Sequence, residues 1–352
     1  MTIVRFASTD QYLDCAELVH GEDTEAAARA LAERAVPLVQ RAGSVVFRLG
    51  RLRLGIEDSR ALSRAICEAL RRALVAGGAP ASMRLEHDRA QSTHVPSGYP
   101  TRTLLPHHDG QHCSYLTPST RDDPSWLPEW REFGRSGYTT TPAHKMYQGV
   151  FIADPGEALS VTTYYDWLDL LTTVYAERHR RPAAEVPLGA VAEWLGRNLR
   201  AALDRQAKHG SPYPTIGAML GVEEPMWHGL SFHHAEAELS GEDRERYPMS
   251  GPLARACPCG DCVGDTARLF CHQTLLATGR DWRQFRARWE VCAPSERFDL
   301  LFGHNLTMLH GGLAGGGHRV IEPMCLVVDE PSGPEYEDWL AASWRRRLPV
   351  GE

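Results

Sequence analysis

The sequence predicts an α+β fold in which a jelly-roll-like sheet core is flanked by helices and interrupted by a large insert. Amphipathic helical periodicity over residues 22–42 and 58–75 comes first. Residues 79–165 are rich in Thr, Tyr, Pro and Gly, and their pattern predicts strands and loops. A second strand pattern is found over residues 297–328. The two β blocks can close one core only by pairing with each other, which predicts a single domain over residues 1–352.

The N-terminal part, residues 1–80, is predicted to supply the flanking helices and the first strand. Gly43 stands just past the first helix, where a left-handed residue often ends a helix. Residues 44–49 form a short β-type run. Asp58 is the expected N-cap of the second helix, and Gly77 follows its end.

The middle of the chain alternates between strand and helix patterns. Residues 147–163 resemble two strands joined by a turn at 154–156. Helical periodicity follows from 165 to about 206. Residues 180–295 are predicted to form the insert, because they are helical and loop-rich and separate the two β blocks. Residues 335–347 end the chain as a short amphipathic helix.

Composition excludes several classes of function. Of the 352 residues, 43% are hydrophobic and 24% are charged, as in ordinary soluble domains. A net charge of −7 gives no basic footprint for nucleic acid or anionic membranes. The sequence contains no run of 18 apolar residues and begins without a signal-peptide pattern. We therefore expect a cytoplasmic protein with reduced cysteines. No pattern in the sequence indicates its oligomeric state.

A His-x-Asp pair in the first β block is the densest chemical signal. Residues i and i+2 of a strand point to the same side, so His107 and Asp109 can bind one ion while His108 faces away. One imidazole and one carboxylate need a third ligand from elsewhere in the chain. A set of three such ligands on one face suits iron(II), because three positions stay open for a co-substrate and O2.

The third ligand is expected from the C-terminal β block, which contains His304, His310 and His318. His310 ends a β-type run and can project into the mouth of a barrel. His304 is its rival, with a hydrogen bond inside the strand as the alternative role. His318 is expected in an exposed turn. Arg319 begins the next strand, where its planar guanidinium could hold a carboxylate bidentately or form a structural salt bridge.

These residues resemble the iron(II)/2-oxoglutarate-dependent dioxygenases, in particular the taurine dioxygenase and clavaminate-synthase-like branch. Four pieces carry the resemblance: the opening helix followed by residues 43–48, the pair His107 and Asp109, residues 154–163, and residues 305–319 with their histidine and arginine. Together they span most of the chain but match densely over only a small part of it.

The resemblance implies a fold, a cofactor set and a reaction. The fold is a double-stranded β-helix of the cupin type, and the cofactors are Fe(II), 2-oxoglutarate and O2. The reaction hydroxylates, desaturates or otherwise oxidises a C–H bond of an amino acid or specialised metabolite and releases succinate and CO2. The implied site residues are His107, Asp109 and His310 on iron, Arg319 on the far carboxylate of 2-oxoglutarate, and Thr162 or Ser160 as a strand hydroxyl beside it.

Departures from that branch keep two other functions open. The loop between His310 and Arg319 is shorter than is usual there, and Arg319 is followed by Val320 and Ile321 instead of by a hydroxyl residue two positions later. An iron oxygenase that does not use 2-oxoglutarate is therefore one alternative. A non-catalytic, cupin-like metal-binding protein is the other.

A cysteine cluster in the insert is a second candidate metal site. Thiolates in a tight Gly/Pro turn can bind zinc, which would pin the loop 257–272. Unligated cysteines or a redox pair are the alternatives. The expected zinc ligands are Cys257, Cys259, Cys262 and Cys271, with His272, His233 or His234 as substitutes for the last.

Overall fold

A computed structural model shows two antiparallel sheets with helices packed against them. It describes residues 9–16, 23–87, 90–95, 101–107, 144–156, 160–187, 278–305, 307–314 and 317–328, with the single positions Ala7, Ala190, Val191, Trp194, Leu275, Asp338, Trp339, Ala342 and Ser343. Within that part of the chain, no helix has both the length and the apolar character needed to cross a bilayer.

Two of the helices in the described part of the chain show how well their ends follow from the sequence. For α1, the Asp23 carboxylate accepts a hydrogen bond from Ala26 N at 2.7 Å, and Gly43 ends the helix with φ 81°. The N-cap of α2 is Gly55, so the prediction of Asp58 was wrong; Asp58 lies in the first turn, where a carboxylate favours the positive end of the helix. The helices are α1 (Thr24–Ala42), α2 (Ile56–Ala76), α3 (Trp167–Arg178) and α4 (Trp282–Trp289).

The helical region predicted over residues 165–206 begins two residues later and is interrupted after Arg178; Ala190, Val191 and Trp194 are helical again, and residues 195–206 lie outside the described part of the chain. Tyr165 still belongs to a strand, and α3 ends at Arg178. Arg180 then takes a positive φ of 52°, and Pro182 precedes a 3₁₀ turn over Ala183–Glu185. A proline disfavours helical geometry in the residue before it, which explains the early end.

Eleven strands are present among the described residues. They are β1 (Tyr12–Leu13), β2 (Ser44–Phe47), β3 (Arg84–His87), β4 (Gln91–Val95), β5 (Thr101–His107), β6 (His144–Asp154), β7 (Ser160–Asp166), β8 (Glu290–Ser295), β9 (Leu300–His304), β10 (Met308–Ala314) and β11 (Gly317–Val328).

The strands form a larger and a smaller sheet. The larger has the order β1-β2-β9-β6-β11-β3, and β4 also pairs with β11. The smaller has the order β5-β10-β7-β8. Apart from the parallel pair β1–β2, neighbouring strands are antiparallel. In both sheets, strands that precede the insert pair with strands that follow it. The predictions of a double-stranded β-helix and of a single domain remain predictions.

The two sheets face each other across an apolar cluster, which we call the inner core. Its buried residues are Val46, Ile152 and Leu301 from the larger sheet and Tyr164, Ala293 and Met308 from the smaller one. The inner face of each sheet is the face that carries these residues. The opposite face of the larger sheet packs against α1 and α2 in a second cluster that includes Leu31, Ile66, Leu70, Met324 and Leu326.

Candidate functional site

The pairing of β10 with its two neighbours brings predicted site residues into one row. His310 lies directly opposite His107 of β5 on one side and opposite Tyr164 of β7 on the other. Residues opposite each other in antiparallel strands lie on the same face, with Cβ atoms roughly 4.5–5.5 Å apart. His107 and His310 are therefore neighbours across β5 and β10, although they are far apart in sequence.

This row lies on the inner face of the smaller sheet. Met308 shares a face with His310, because the two are separated by two positions along β10, and Met308 packs in the inner core, as does Tyr164. Only 6% of His310 is exposed. His310 also lies three residues into β10 and does not end a β run, so that part of the prediction was wrong.

The remaining predicted metal ligands lie outside the described residues. Asp109 is two positions past the end of β5, and the zinc candidates Cys257, Cys259, Cys262 and Cys271 fall in the insert. No group of three or more His, Cys, Asp or Glu that could hold a metal is found within the described ranges. The structure therefore pairs His107 with His310, two of the three predicted iron ligands. The third, Asp109, stays a prediction.

His304 belongs to a different environment from His310. It lies in β9 of the larger sheet, opposite Tyr147, and its ring stacks on Trp339 with centroids 5.4 Å apart. The side-chain amide of Asn305 donates to the carbonyl of Lys145 at 2.8 Å, which ties the turn after β9 to β6. His304 is thus part of an aromatic cluster, and the strand pairing gives His107 only His310 as an opposite histidine among the described residues.

His318 is exposed, as predicted, but it lies in strand β11 and not in a turn. Its position is opposite His94 of β4, and its ring nitrogen Nε2 hydrogen-bonds with the Ser92 hydroxyl. Because alternate residues of a strand face opposite sides, His318 lies on the opposite face from its neighbour Arg319.

Arg319 lies on the inner face of β11. It shares that face with Ile321, which packs against the inner core. Its Nε atom is buried and has no hydrogen-bond partner among the described residues, and none of their carboxylates lies within ion-pair distance. Burial lowers the pKa of Arg319, yet a guanidinium stays charged in proteins. A partly buried cation of this kind is suited to an anionic ligand.

The two candidate strand hydroxyls occupy inner-face positions of β7. Thr162 and Ser160 are separated from Tyr164 by two and four residues, and so fall on its side of the strand. Thr162 is opposite Gly312, one row from His310, whereas Ser160 is opposite Ser295, one row further away. The register therefore puts Thr162 nearer to the His310 row.

Sequence reasoning did not identify Tyr164 as part of the site. The alternation of β7 could have shown that Tyr164 shares a face with Thr162, but its place beside His310 depends on the strand order. Burial raises the pKa of Tyr164, so its hydroxyl stays protonated at neutral pH.

Comparisons with known proteins identified no relative of this chain. No family model, no curated protein and no solved structure matches the chain.

Proposed function

We propose that the chain is an iron(II)-dependent oxygenase that uses 2-oxoglutarate and O2 to oxidise a C–H bond of a small molecule. The observation that carries the proposal is the pairing of β5 with β10, which puts His107 opposite His310 on the inner face. Two histidine positions that were selected from the sequence as ligands of one metal are thus neighbours in space.

The strand pairing also supports a double-stranded β-helix. Counted as eight consecutive strands from β4 to β11, the first pairs with the eighth, the second with the seventh, the third with the sixth and the fourth with the fifth. A long antiparallel hairpin has this pairing. Rolling that hairpin up adds the contacts of β6 with β11 and of β7 with β10, which are also present.

The donor set fits iron(II). His107 and His310 supply two imidazoles, and Asp109 follows two positions after His107. Two imidazoles and one carboxylate on one side of the ion leave positions open for a co-substrate and O2. When bound there, iron and 2-oxoglutarate supply the oxidising chemistry, and the chain supplies ligands, orientation and exclusion of water.

Arg319 and Thr162 are suited to hold an anionic co-substrate. In this proposal the Arg319 guanidinium donates hydrogen bonds to the far carboxylate of 2-oxoglutarate, which gives the buried charge a counter-ion. Thr162, or Ser160 one row away, donates its hydroxyl to the same carboxylate. The apolar side chains of Ile152 and Leu301 line the inner core and exclude water from that side.

The proposal includes a small-molecule substrate and a cytoplasmic location. The net charge of −7 supports the absence of a nucleic-acid partner. None of the described cysteines, which are Cys15, Cys67, Cys292 and Cys325, forms a disulfide with another described residue.

The test is succinate release from 2-oxoglutarate by protein loaded anaerobically with iron(II) and then exposed to O2, with His310→Ala compared against His304→Gln. Both replacements change a buried histidine, but only His310 lies opposite His107. We expect His310→Ala to lose more than about 100-fold in rate, because removing even a residue that only supports a metal ligand typically costs 10- to 100-fold. His304→Gln should retain turnover.

Two results would count against the proposal. One is no succinate release and no 2-oxoglutarate binding by the wild-type protein. The other is equal loss in the two variants. If the protein binds iron through His310 but shows no visible charge-transfer band with 2-oxoglutarate, the result favours the alternative of an iron oxygenase that does not use 2-oxoglutarate.

A further inference from the structure

The ring of Tyr164 lies in the inner core and contacts the larger sheet at a glycine. A Cβ atom built on Gly303 of β9 would lie 3.1 Å from Tyr164 Cε1 and 3.7 Å from its Cζ. The first distance is closer than most real Cβ contacts. Gly303 therefore leaves the space that the Tyr164 ring occupies against the β9 backbone.

Tyr164 is also the neighbour of His310 on the inner face. The two residues are opposite each other in β7 and β10, and only 4% of Tyr164 is exposed. His107 flanks His310 on the other side, so one row of three strands contains His107, His310 and Tyr164. A methyl group at position 303 would displace the Tyr164 ring from β9, and Tyr164 shares its row with His310.

The ring of Tyr164, and not its hydroxyl, makes these contacts. The described residues supply no hydrogen bond to the Tyr164 hydroxyl. Tyr164 belongs to the inner core together with Ile152 and Leu301 of the larger sheet and Met308 of its own sheet. These contacts are apolar, and a phenylalanine could make them as well.

We propose that Tyr164 is a positioning residue of the metal site: its ring, held against Gly303, fixes the place of the His310 imidazole and separates the metal from the inner core. The inference rests on the proposed function, because it assumes that His310 binds a metal. It predicts that Gly303 affects metal binding although Gly303 belongs to the opposite sheet and has no side chain.

The experiment is a titration with cobalt(II), an iron(II) stand-in whose visible absorption reports its coordination, combined with thermal unfolding. We expect Gly303→Ala to weaken cobalt binding by about 10-fold and to change the spectrum, as is typical when a residue that supports a metal ligand is disturbed. Tyr164→Phe should keep the wild-type affinity and spectrum, because it keeps the ring.

A double variant makes the test specific. Gly303→Ala combined with Tyr164→Leu should bind cobalt as Tyr164→Leu alone does, since there is then no ring for the new methyl group to displace; the two changes are expected to be strongly non-additive. Gly77→Ala is the matched control, because its Cβ would meet only carbonyl oxygens of Ala73 and Leu74 at 3.4 Å, at the end of α2.

The inference is wrong if Gly303→Ala leaves the affinity and spectrum of the metal unchanged, or if its defect persists in the double variant. If Gly303→Ala does not fold, Tyr164→Leu alone decides: a cobalt spectrum identical to that of Tyr164→Phe refutes the inference. Absence of His310-dependent cobalt binding in the wild-type protein refutes the proposed site and the inference together. Binding that depends on His310 but not on Gly303 refutes the inference alone.

Discussion

At the scale of single residues, two arginines show what a buried guanidinium requires. Arg48 contacts Asp299 with 2.5 Å between Nη1 and Oδ2, and the Asp299 side chain is fully buried. Burial raises the pKa of Asp299 even though Arg48 acts in the opposite direction. Arg319 has no such carboxylate among the described residues. Arg48 has a structural partner, whereas Arg319 is the residue proposed to bind the co-substrate.

This difference predicts opposite outcomes for Arg319→Leu and Arg48→Leu. Arg48→Leu should lower the free energy of unfolding by about 3 kcal/mol or more, because it leaves the Asp299 carboxyl buried without its counter-ion. Arg319→Leu should be neutral or stabilising, since it removes a buried cation for which the described residues supply no carboxylate, and so relieves a desolvation cost. It should also abolish 2-oxoglutarate binding. Denaturant unfolding and equilibrium dialysis measure the two effects, and a loss of stability in Arg319→Leu as large as that in Arg48→Leu would show that Arg319 is structural.

At the scale of elements, an ion pair links α3 to the segment before α4. Arg280 donates to both carboxylate oxygens of Glu177, at 2.7 and 3.1 Å. These hydrogen bonds hold the pKa of Glu177 below its ordinary value of 4.5. Because the folded-state pKa is lowered, the pair stabilises the fold above pH 4.5 and this contribution is lost as the pH falls through the folded-state pKa.

Glu177→Gln should therefore reduce the dependence of stability on acid pH. We expect the urea midpoint of the variant to fall less than that of the wild type between pH 7 and about pH 3.5. The expected difference is small, because Glu177 is 48% exposed and solvent screens the pair. Glu25→Gln is the control, since Glu25 is exposed and lies 3.7 Å from Arg29. Equal acid sensitivity of Glu177→Gln and the wild type would contradict the assignment.

Local patterns predict single elements well, but not their ends or partners. The first helix was expected over residues 22–42 and spans Thr24–Ala42, because Asp23 and Gly43 are strong caps. The N-cap of α2 was missed, because Gly55 offers no side-chain hydrogen bond to recognise. The sequence favours His310 over His304 through its resemblance to the dioxygenases, but both lie in β-type runs and only the strand order distinguishes their neighbours.

At the scale of the whole molecule, the proposed site uses residues from both sheets. His107, His310 and Thr162 belong to the smaller sheet, while Arg319 belongs to the larger. The ring of Tyr164 crosses the inner core to the larger sheet at Gly303. Such a site forms only when the strands before and after the insert pair, so metal binding and folding of the core should be coupled.

In the proposed site, His107, Asp109 and His310 hold one iron. Iron content after anaerobic loading and dialysis tests it most directly, in the wild type, Asp109→Ala, His310→Ala and the His304→Gln control. We predict about one iron per chain in the wild type and the control, and loss of iron in the other two, because a site of three ligands cannot hold iron(II) firmly with two. Unchanged iron content in Asp109→Ala and His310→Ala would contradict the account.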